Sequence, residues 1–439
     1  MSIFSILIAI VVVGIIAALH ETGHFLVAKW LGVKVEEFSI FVGPSLFSWK
    51  RNGVEYYIRL IPIGAYVRYK GMDLEDQSDT DPDMFFNQPR WKRFLIAIAG
   101  PLTNVLTGML IFLIYFSVSG NFASNRIGIL RPDTQLAQTA AKAGDEIISV
   151  NGKKYFADLE LGYIAEMVGD TNPLSMTLRS RETEELYEII LEPEMVMQYR
   201  LGITYKYTYE DPPYEKRIIE SVEDYSNNGN PVLKKNDAVL AINGVLIADS
   251  DLFTEEVRSS AGAPLHVKII RDGKEMELEM VANSVETVKY GRGFVLERGY
   301  GFAESVRQSL LYPISIVRVS IASIGDMIGG RVKPTEVIAG PVGIVGAVSD
   351  VVDNPDADAG VKIDFIINFA GVISIALFFS NMLPIPGLDG NAMVLMLVEM
   401  VRGKKLSLKT ETIINVVGFV CILALVGFAL YSDIFRLVK

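Results

Sequence analysis

Four long runs of apolar residues divide the chain into membrane and non-membrane parts. A helix needs roughly 20 apolar residues to cross a bilayer, and each run approaches or exceeds that length. The runs lie at residues 3–30, 94–118, 365–383 and 413–431. A fifth run, residues 312–328, is interrupted by Arg318 and Asp326, so it predicts an amphipathic helix that lies along the interface. The pattern therefore predicts four transmembrane helices.

Between the second and third runs the pattern changes to short segments of alternating apolar and polar residues. Two similar strings, residues 143–152 and 235–244, end in Asn-Gly, which is a strong signal for a β-hairpin turn. Their spacing of roughly 90 residues is too long for a solenoid repeat. It favours two tandem β-rich domains, with a joint near residues 211–213. An imperfect alternation also runs through residues 56–69, around Gly64.

Basic residues predict the orientation in the membrane. They are concentrated in the loop after the first run and in the short loop after the third, and basic short loops stay cytoplasmic. The first and third helices then run inward, and residues 119–364 are extracytoplasmic. No Lys or Arg precedes the first run, so it predicts a retained helix rather than a cleaved signal peptide. The short loop carries Arg402, Lys404, Lys405 and Lys409.

Composition agrees with a protein that is part membrane and part soluble. Half of the 439 residues are hydrophobic, yet 21% are charged. The net charge of −11 argues against general binding to nucleic acid. The chain has one cysteine, Cys421, so it cannot form an intrachain disulfide.

The candidate chemistry lies late in the first apolar run, in the string His20-Glu21-Thr22-Gly23-His24. A helix places two histidines at this spacing on one face, where both imidazoles can bind one Zn²⁺ with the glutamate as general base. Buried structural histidines are the alternative, but two of the three histidines of the chain fall in this string. Ionisable groups at membrane depth are costly and are usually functional. The placement predicts hydrolysis within or at the edge of the bilayer.

A third metal ligand is expected near the inner end of another inward-running helix. The third run ends there, and Asp389 follows it closely. An Asp before Gly is also typical of a turn. Three protein ligands and a water would make an open, catalytic zinc site. Pro384 and Pro386 end the helix just before Asp389, and irregular backbone at this depth requires protein or a water-filled cavity around it.

Several motifs, taken in order, resemble the site-2 protease family of intramembrane zinc metalloproteases. The closest resemblance is to the bacterial branch with PDZ domains, which cleaves membrane-embedded anti-sigma factors. Two departures stand out: Asn391 and Ala392 replace the usual Gly-His, and Ala65 replaces a glycine. The matching segments are residues 20–24 (HExGH), 41–44 (GFGP), 62–67 (PLGGYV), 100–104 (Gly-Pro-x-x-Asn) and 381–390 (NxxPxPxLDG), and the two Asn-Gly strings look like PDZ domains.

The resemblance implies a polytopic α-helical membrane protein with four transmembrane helices, two β-rich extracytoplasmic PDZ domains and a membrane-associated β-hairpin. The implied order is a first part of the catalytic membrane core (1–118), PDZ domain 1 (119–208), PDZ domain 2 (209–292), an amphipathic interfacial linker (293–360) and a second part of the core (361–439).

The resemblance also implies a Zn²⁺ endopeptidase in the bacterial cytoplasmic (inner) membrane. Its substrates would be single-span membrane proteins, such as anti-sigma factors or signal-peptide remnants, that an upstream site-1-type protease has already trimmed. The metal ligands would be His20, His24 and Asp389, and Glu21 would be the catalytic base. Membrane lipid surrounds such an enzyme, and no nucleic acid takes part.

Binding of the substrate backbone is implied for the loop at the end of the third helix and for the hairpin. Asn381, with Pro384 and Pro386, would hold the substrate, and the hairpin around Gly64 would pair with it by β-addition. The alternatives are a helix-stabilising contact for Asn381 and an ordinary cytoplasmic hairpin.

Two other classes of protein remain possible from the sequence. The first is a catalytically silent membrane scaffold whose PDZ domains bind extracytoplasmic tails, although a scaffold needs no base beside two histidines. The second is a zinc transporter, but the second and fourth apolar runs offer few further polar ligands.

Overall fold

A computed structural model describes residues 2–71, 81–119, 122–130, 134–160, 173–209, 215–246, 250–289, 294–338, 340–355, 357–404, 406 and 408–438. The predicted joint at residues 211–213 lies outside the described residues. The chain divides into two compact units. The first comprises residues 1–126, 155–163 and 296–439, and the second comprises residues 127–154 and 164–295.

The first unit is mainly helical. Its helices are α1 (Ile3–Trp30), α2 (Arg90–Ser119), α4 (Gly301–Ile328), α5 (Pro334–Val337), α6 (Pro341–Val352), α7 (Ala359–Met382), α8 (Asp389–Arg402) and α9 (Leu408–Val438). Helix α3 (Ser250–Ser259) belongs to the second unit, and short helical turns lie at Phe85–Asn87, Leu136–Gln138 and Ser226–Gly229.

Five of the described helices are long and apolar enough to cross a membrane: α1, α2, α4, α7 and α9. Four of them coincide with the predicted spans, and the chain is an integral membrane protein. Helix α4 is the fifth, and it contains the run that predicted an interfacial helix. Length and composition do not separate these two roles, so the count of four spans stays a prediction.

Glycines allow α2 to pack closely against both α1 and α7. A methyl group on Gly23 of α1 would lie 2.2 Å from the hydroxyl oxygen of Thr103 on α2. A methyl group on Gly108 of α2 would lie 2.5 Å from the side chain of Ile375 on α7. Helices in lipid associate through such close contacts, because lipid tails are as apolar as the side chains. Helix α2 therefore packs closely against both α1 and the helix that precedes the Asp389 connection.

A long antiparallel hairpin, β1 (Val35–Arg51) and β2 (Val54–Tyr69), follows α1. Residues 56–69, which the resemblance predicts to be a β-hairpin, form part of the second strand of this longer hairpin. The base of the hairpin packs against α1 through Phe25, Phe38 and Val67. Further along, the carbonyl oxygen of Pro62 faces Gly14 of α1. The hairpin is thus fixed to the helix that carries the HExxH string.

The strands after α2 form two six-stranded sheets and one two-stranded sheet. The strand orders are β16-β3-β4-β6-β7 with β5 beside β4, β14-β13-β11-β10-β9 with β12 beside β11, and β15-β8. The bounds are β3 Ala123–Leu130, β4 Glu146–Val150, β5 Lys153–Lys154, β6 Leu174–Arg179, β7 Leu186–Leu191, β8 Glu194–Arg200, β9 Ile203–Tyr209, β10 Glu215–Val222, β11 Ala238–Ile242, β12 Val245–Leu246, β13 Pro264–Arg271, β14 Lys274–Val281, β15 Asn283–Lys289 and β16 Phe294–Arg298.

The two Asn-Gly strings form the predicted hairpins. Asn151 and Asn243 both have positive φ, as the tight turn requires, and they join β4 to β5 and β11 to β12. Four strands of each six-stranded sheet follow the same order of neighbours. They are β3-β4-β6-β7 in one sheet and β10-β11-β13-β14 in the other. Strand β9 pairs in the second of these sheets, and β16 pairs in the first. The similarity agrees with tandem β-rich domains, whereas their assignment as PDZ domains stays a prediction.

Candidate metal centre

Two helices bring three possible metal ligands together. His20 and His24 are buried on α1, one turn apart, and Asp389 is the first residue of α8. The Nε2 atoms of the two histidines are 3.1 Å apart. The Asp389 Oδ2 lies 3.0 Å from Nε2 of His20 and 3.3 Å from Nε2 of His24. Among the described residues, this is the one group of three metal-ligating side chains that is close enough to hold an ion.

The hydrogen bonds of His24 show that these atoms fit a cation. Its Nδ1 lies 2.7 Å from the carbonyl oxygen of Ile96, so Nδ1 carries the proton and donates. In the neutral ring, Nε2 then has a lone pair aimed at the buried Oδ2 of Asp389, which has no hydrogen-bond partner among the described residues. Two facing acceptors repel each other unless a cation lies between them.

The spacing also suits zinc. Bonds of about 2.0–2.1 Å in a tetrahedral site place ligand atoms about 3.3 Å apart. The three distances among the ligand atoms of His20, His24 and Asp389 are close to that value. The Asp389 side chain keeps 24% of its surface exposed, which leaves room for a water on the open side. These residues fit a catalytic zinc ion.

The second imidazole has a partner that sequence reasoning did not single out as a site residue. The Nδ1 of His20 lies 3.0 Å from the side-chain amide of the buried Asn104 on α2. A histidine that binds metal through Nε2 donates from Nδ1, so the Asn104 oxygen should face it. That orientation also gives the Asn104 Oδ1, which is buried without a partner in the present orientation, its hydrogen bond. The Gly-Pro-x-x-Asn resemblance was the signal for this residue.

Gly100 of α2 lies directly against the two imidazoles. A methyl group there would be 2.3 Å from Nε2 of His24 and 2.7 Å from Nε2 of His20. Contacts this short do not occur, so any other residue would displace the rings. The space in front of the two Nε2 atoms therefore depends on a glycine four residues before Asn104.

Glu21 lies beside the same group. Its carboxylate interacts electrostatically with His24, His20 and Asp389, and the backbone N–H of Val67 on β2 is near it. The hairpin thus packs beside the glutamate. Tyr69 at the end of β2 is also near, and burial raises the pKa of its hydroxyl so that the phenol stays neutral.

The predicted substrate-binding residues lie on the elements that flank this group. Asn381 is in the last turn of α7, which ends at Met382 because proline at 384 cannot continue the helix. Pro384 and Pro386 lie in the connection from α7 to α8. Gly64 is in β2 with a φ of 73°. Their role in binding substrate stays a prediction.

Comparison with known proteins agrees with the site. The sequence profile of peptidase family M50 matches residues 8–425. A Vibrio cholerae protein, named as a predicted zinc metalloprotease, is 27% identical over 461 residues. Protease RseP of Yersinia pestis is 26% identical over 456 residues, and the regulator of sigma-E protease RseP of Salmonella typhimurium is 25% identical over 458 residues. Each alignment covers 98% of both chains.

The family profile spans α1, the hairpin, the β-rich region and the connection to α8, so the match is not confined to the HExxH string. The chain belongs to peptidase family M50, the site-2 protease family, and is a zinc metalloprotease.

Proposed function

We propose that the chain is an intramembrane zinc endopeptidase whose metal ligands are His20, His24 and Asp389 and whose catalytic base is Glu21. The observation that carries the proposal is the convergence of three ligand atoms from α1 and α8 beside a glutamate. Helix α1 is long and apolar enough to span a membrane, which supports a site at membrane depth.

The site also determines how the helices run. His24 is near the end of α1, and Asp389 follows the end of α7, so the two helices are parallel. The chain between α2 and α7 must then cross the membrane an even number of times. If α4 crossed the membrane, a second helix would have to cross it before α7. Helix α6 cannot be that helix, because its 12 residues span about 18 Å and the hydrocarbon core is about 30 Å thick.

Contacts at both ends of α4 support four spans. The backbone N–H of Gly299, just before α4, donates to Phe122, just after the end of α2. Past the other end, the carbonyl of Thr335 accepts from Ser432 near the C-terminal end of α9. In the predicted orientation, the C-terminal ends of α2 and α9 both lie on the outer side of the membrane. Helix α4 would therefore lie at the outer interface.

Peptide hydrolysis at this site needs a proton carrier and a shielded cleft. Bound zinc would supply Lewis acidity and help to activate a water molecule. The Glu21 carboxylate would take a proton from the attacking water as the water oxygen bonds to the scissile carbonyl carbon. When the C–N bond breaks, Glu21 would return that proton to the leaving amine. The backbone N–H of Val67 would help to hold the carboxylate in place during both steps.

The substrates would be single transmembrane segments that another protease has already trimmed. The Salmonella typhimurium relative is named as a regulator of sigma-E protease, which supports anti-sigma factors as the substrate class. Residues 119–292, predicted as a PDZ pair, would lie outside the bacterial cytoplasmic membrane and exclude proteins with bulky outer domains. An extended substrate would contact Asn381, Pro384 and Pro386, and pair with the hairpin near Gly64.

The test is cleavage of a model transmembrane substrate by the purified chain in detergent, together with its zinc content. The wild type should contain about one zinc per chain and cleave the substrate. Glu21→Gln should retain zinc, but its cleavage rate should be about 100- to 10,000-fold lower. A scaffold would keep its cellular function in Glu21→Gln. Undiminished cleavage by that variant would contradict the proposed role of the glutamate.

A further inference from the structure

A cavity of about 260 Å³ adjoins the proposed metal centre. Asp389 forms part of its wall, and the cavity extends from there between the N-terminal end of α2 and helix α8. Most of the lining is apolar, with Phe85, Phe86, Leu395 and Met396 among its residues. All of these residues belong to the first unit.

One end of the cavity is closed by a buried ion pair. Arg93 on α2 lies 2.7 Å from the Glu399 carboxylate on α8, and both side chains are less than 10% exposed. Glu399 also accepts a hydrogen bond from the backbone N–H of Leu406. Removing one partner of such a pair leaves a buried charge, so the pair resists separation. The depth of the cavity is therefore fixed by α2 and α8.

The wall next to Asp389 contains the departure from the family pattern. Asn391 and Ala392 both line the cavity, at the position where the family usually has Gly-His. Alanine ends at its Cβ, whereas an imidazole at residue 392 would extend beyond it. A larger side chain at residue 392 would therefore reduce the space in this cavity.

We propose that this cavity binds one large apolar side chain of the substrate, Leu or Phe, from a residue beside the cleaved bond, and that Ala392 sets the size it accepts. The proposal rests on the proposed function, because it assigns a specificity pocket to that site. It identifies the substrate class by shape: an unwound apolar segment with a bulky residue next to the cut.

Size and position favour a single side chain as the occupant. A dry cavity of about 150 Å³ is enough to bind benzene, so about 260 Å³ accommodates a phenyl group. Pockets for drug-sized ligands are larger, roughly 300–1,000 Å³. Because the Asp389 carboxylate forms part of the wall, a side chain in the cavity belongs to a residue close to the bond under attack.

The experiment compares Ala392→Leu with Val394→Leu in the full-length chain. Val394 is on the same helix but is 42% exposed and does not line the cavity. The substrates are model transmembrane segments with Ala, Leu or Phe at each of the two positions on either side of the cut. At one position the wild type and Val394→Leu should prefer Phe or Leu over Ala, by about tenfold or more in kcat/KM.

Ala392→Leu should lose that preference at the same position while it retains zinc. Leu395→Ala, which widens the same wall about one turn further along α8, should shift the preference toward Phe over Leu. This second variant keeps the test valid if Ala392→Leu fails to fold.

The proposal is overturned if wild-type cleavage shows no size preference at any of the four positions, or if neither variant changes the preference. Absence of zinc and of cleavage in the wild type itself would instead contradict the proposed function. The two failures are therefore distinguishable by the zinc content and rate of the unmodified chain.

Discussion

At the residue scale, the second nitrogen of each imidazole decides how the site can bind metal. His24 donates from Nδ1 to the Ile96 carbonyl, and His20 faces Asn104. Both contacts come from α2, the helix that lies between the two ligand-bearing elements. The partners fix the ring orientation and the tautomer that leaves Nε2 free for metal.

Replacing Asn104 tests this arrangement. Asn104→Ala should lower zinc affinity by about 10- to 100-fold, because His20 loses the acceptor that orients it. Asn104→Asp keeps an acceptor and should retain zinc affinity close to that of the wild type. Competition with a chelator of known affinity measures both variants. Equal affinities for Asn104→Ala and the wild type would show that Asn104 does not position His20.

Gly100 provides a second residue-scale prediction. Gly100→Ala should remove most of the bound zinc, because its methyl group would lie 2.3 Å from the His24 Nε2. Gly325→Ala on α4 is the matched control, since no atom lies within 4 Å of the added methyl group. Elemental analysis of both purified variants measures the effect. Normal zinc content in Gly100→Ala would mean that the rings are not where the structure places them.

The sequence predicted the residue types of the site better than their surroundings. The spacing of His20 and His24 follows directly from the helical repeat, and Asp389 followed from charge bias and the family pattern. Asn104 and Gly100 could not be assigned a role from the helical repeat, because their contacts depend on how α2 packs against α1. The cavity beside Ala392 depends in the same way on the packing of α2 against α8.

At the element scale, α9 contacts the connection between α7 and α8, and Gly418 makes one of these contacts. A methyl group on Gly418 would lie 1.9 Å from the Cβ of Pro386, whereas Val417 and Phe419 are exposed. Near its other end, the Asp433 carboxylate accepts hydrogen bonds from the backbone N–H groups of Gly340, Val342 and Gly343 at the start of α6. Helix α9 is therefore fixed near its C-terminal end by Asp433. Nearer its N-terminal end it packs against the connection that contains Pro386.

A larger residue at 418 should move the connection or push α9 away from it. We expect Gly418→Ala to reduce cleavage by about 100-fold, since a displacement of about 1 Å at a catalytic group can have that effect. Gly427→Ala is the control on the same helix, because nothing lies within 4 Å of its added methyl group. Rates and zinc content are measured together. Equal rates for the two variants would contradict the role of Gly418.

Strands were predicted well where turn chemistry was explicit. The two Asn-Gly strings gave their hairpins, whereas residues 56–69, predicted as a hairpin, form part of the single strand β2. The pairing of β9 and β16 across the expected domain limits was not predictable, because the pattern within a strand does not identify its neighbour.

At the scale of the whole molecule, the proposed site constrains the number of membrane crossings more than hydropathy does. Helix α4 meets the length and composition of a span, yet parallel α1 and α7 require an even number of crossings before α7. Hydropathy alone could not decide this, because it does not consider which helix ends must meet. Four spans and one interfacial helix satisfy both constraints.

Cysteine labelling in intact cells tests this topology. In a Cys421→Ser background, Lys333→Cys in the connection after α4 should react with a membrane-impermeant maleimide. Lys404→Cys, in the basic connection after α8, should react only after the membrane is opened. Protection of residue 333 in intact cells would mean that α4 crosses the membrane.

The central claim is that His20, His24 and Asp389 together hold one zinc ion. The most direct measurement is the zinc content of the purified full-length chain and of Asp389→Asn, with Asp364→Asn on α7 as the control. The account predicts about one zinc per chain in the wild type and the control, and a large loss in Asp389→Asn, since one of three protein ligands is weakened. Equal zinc content in all three proteins would contradict it.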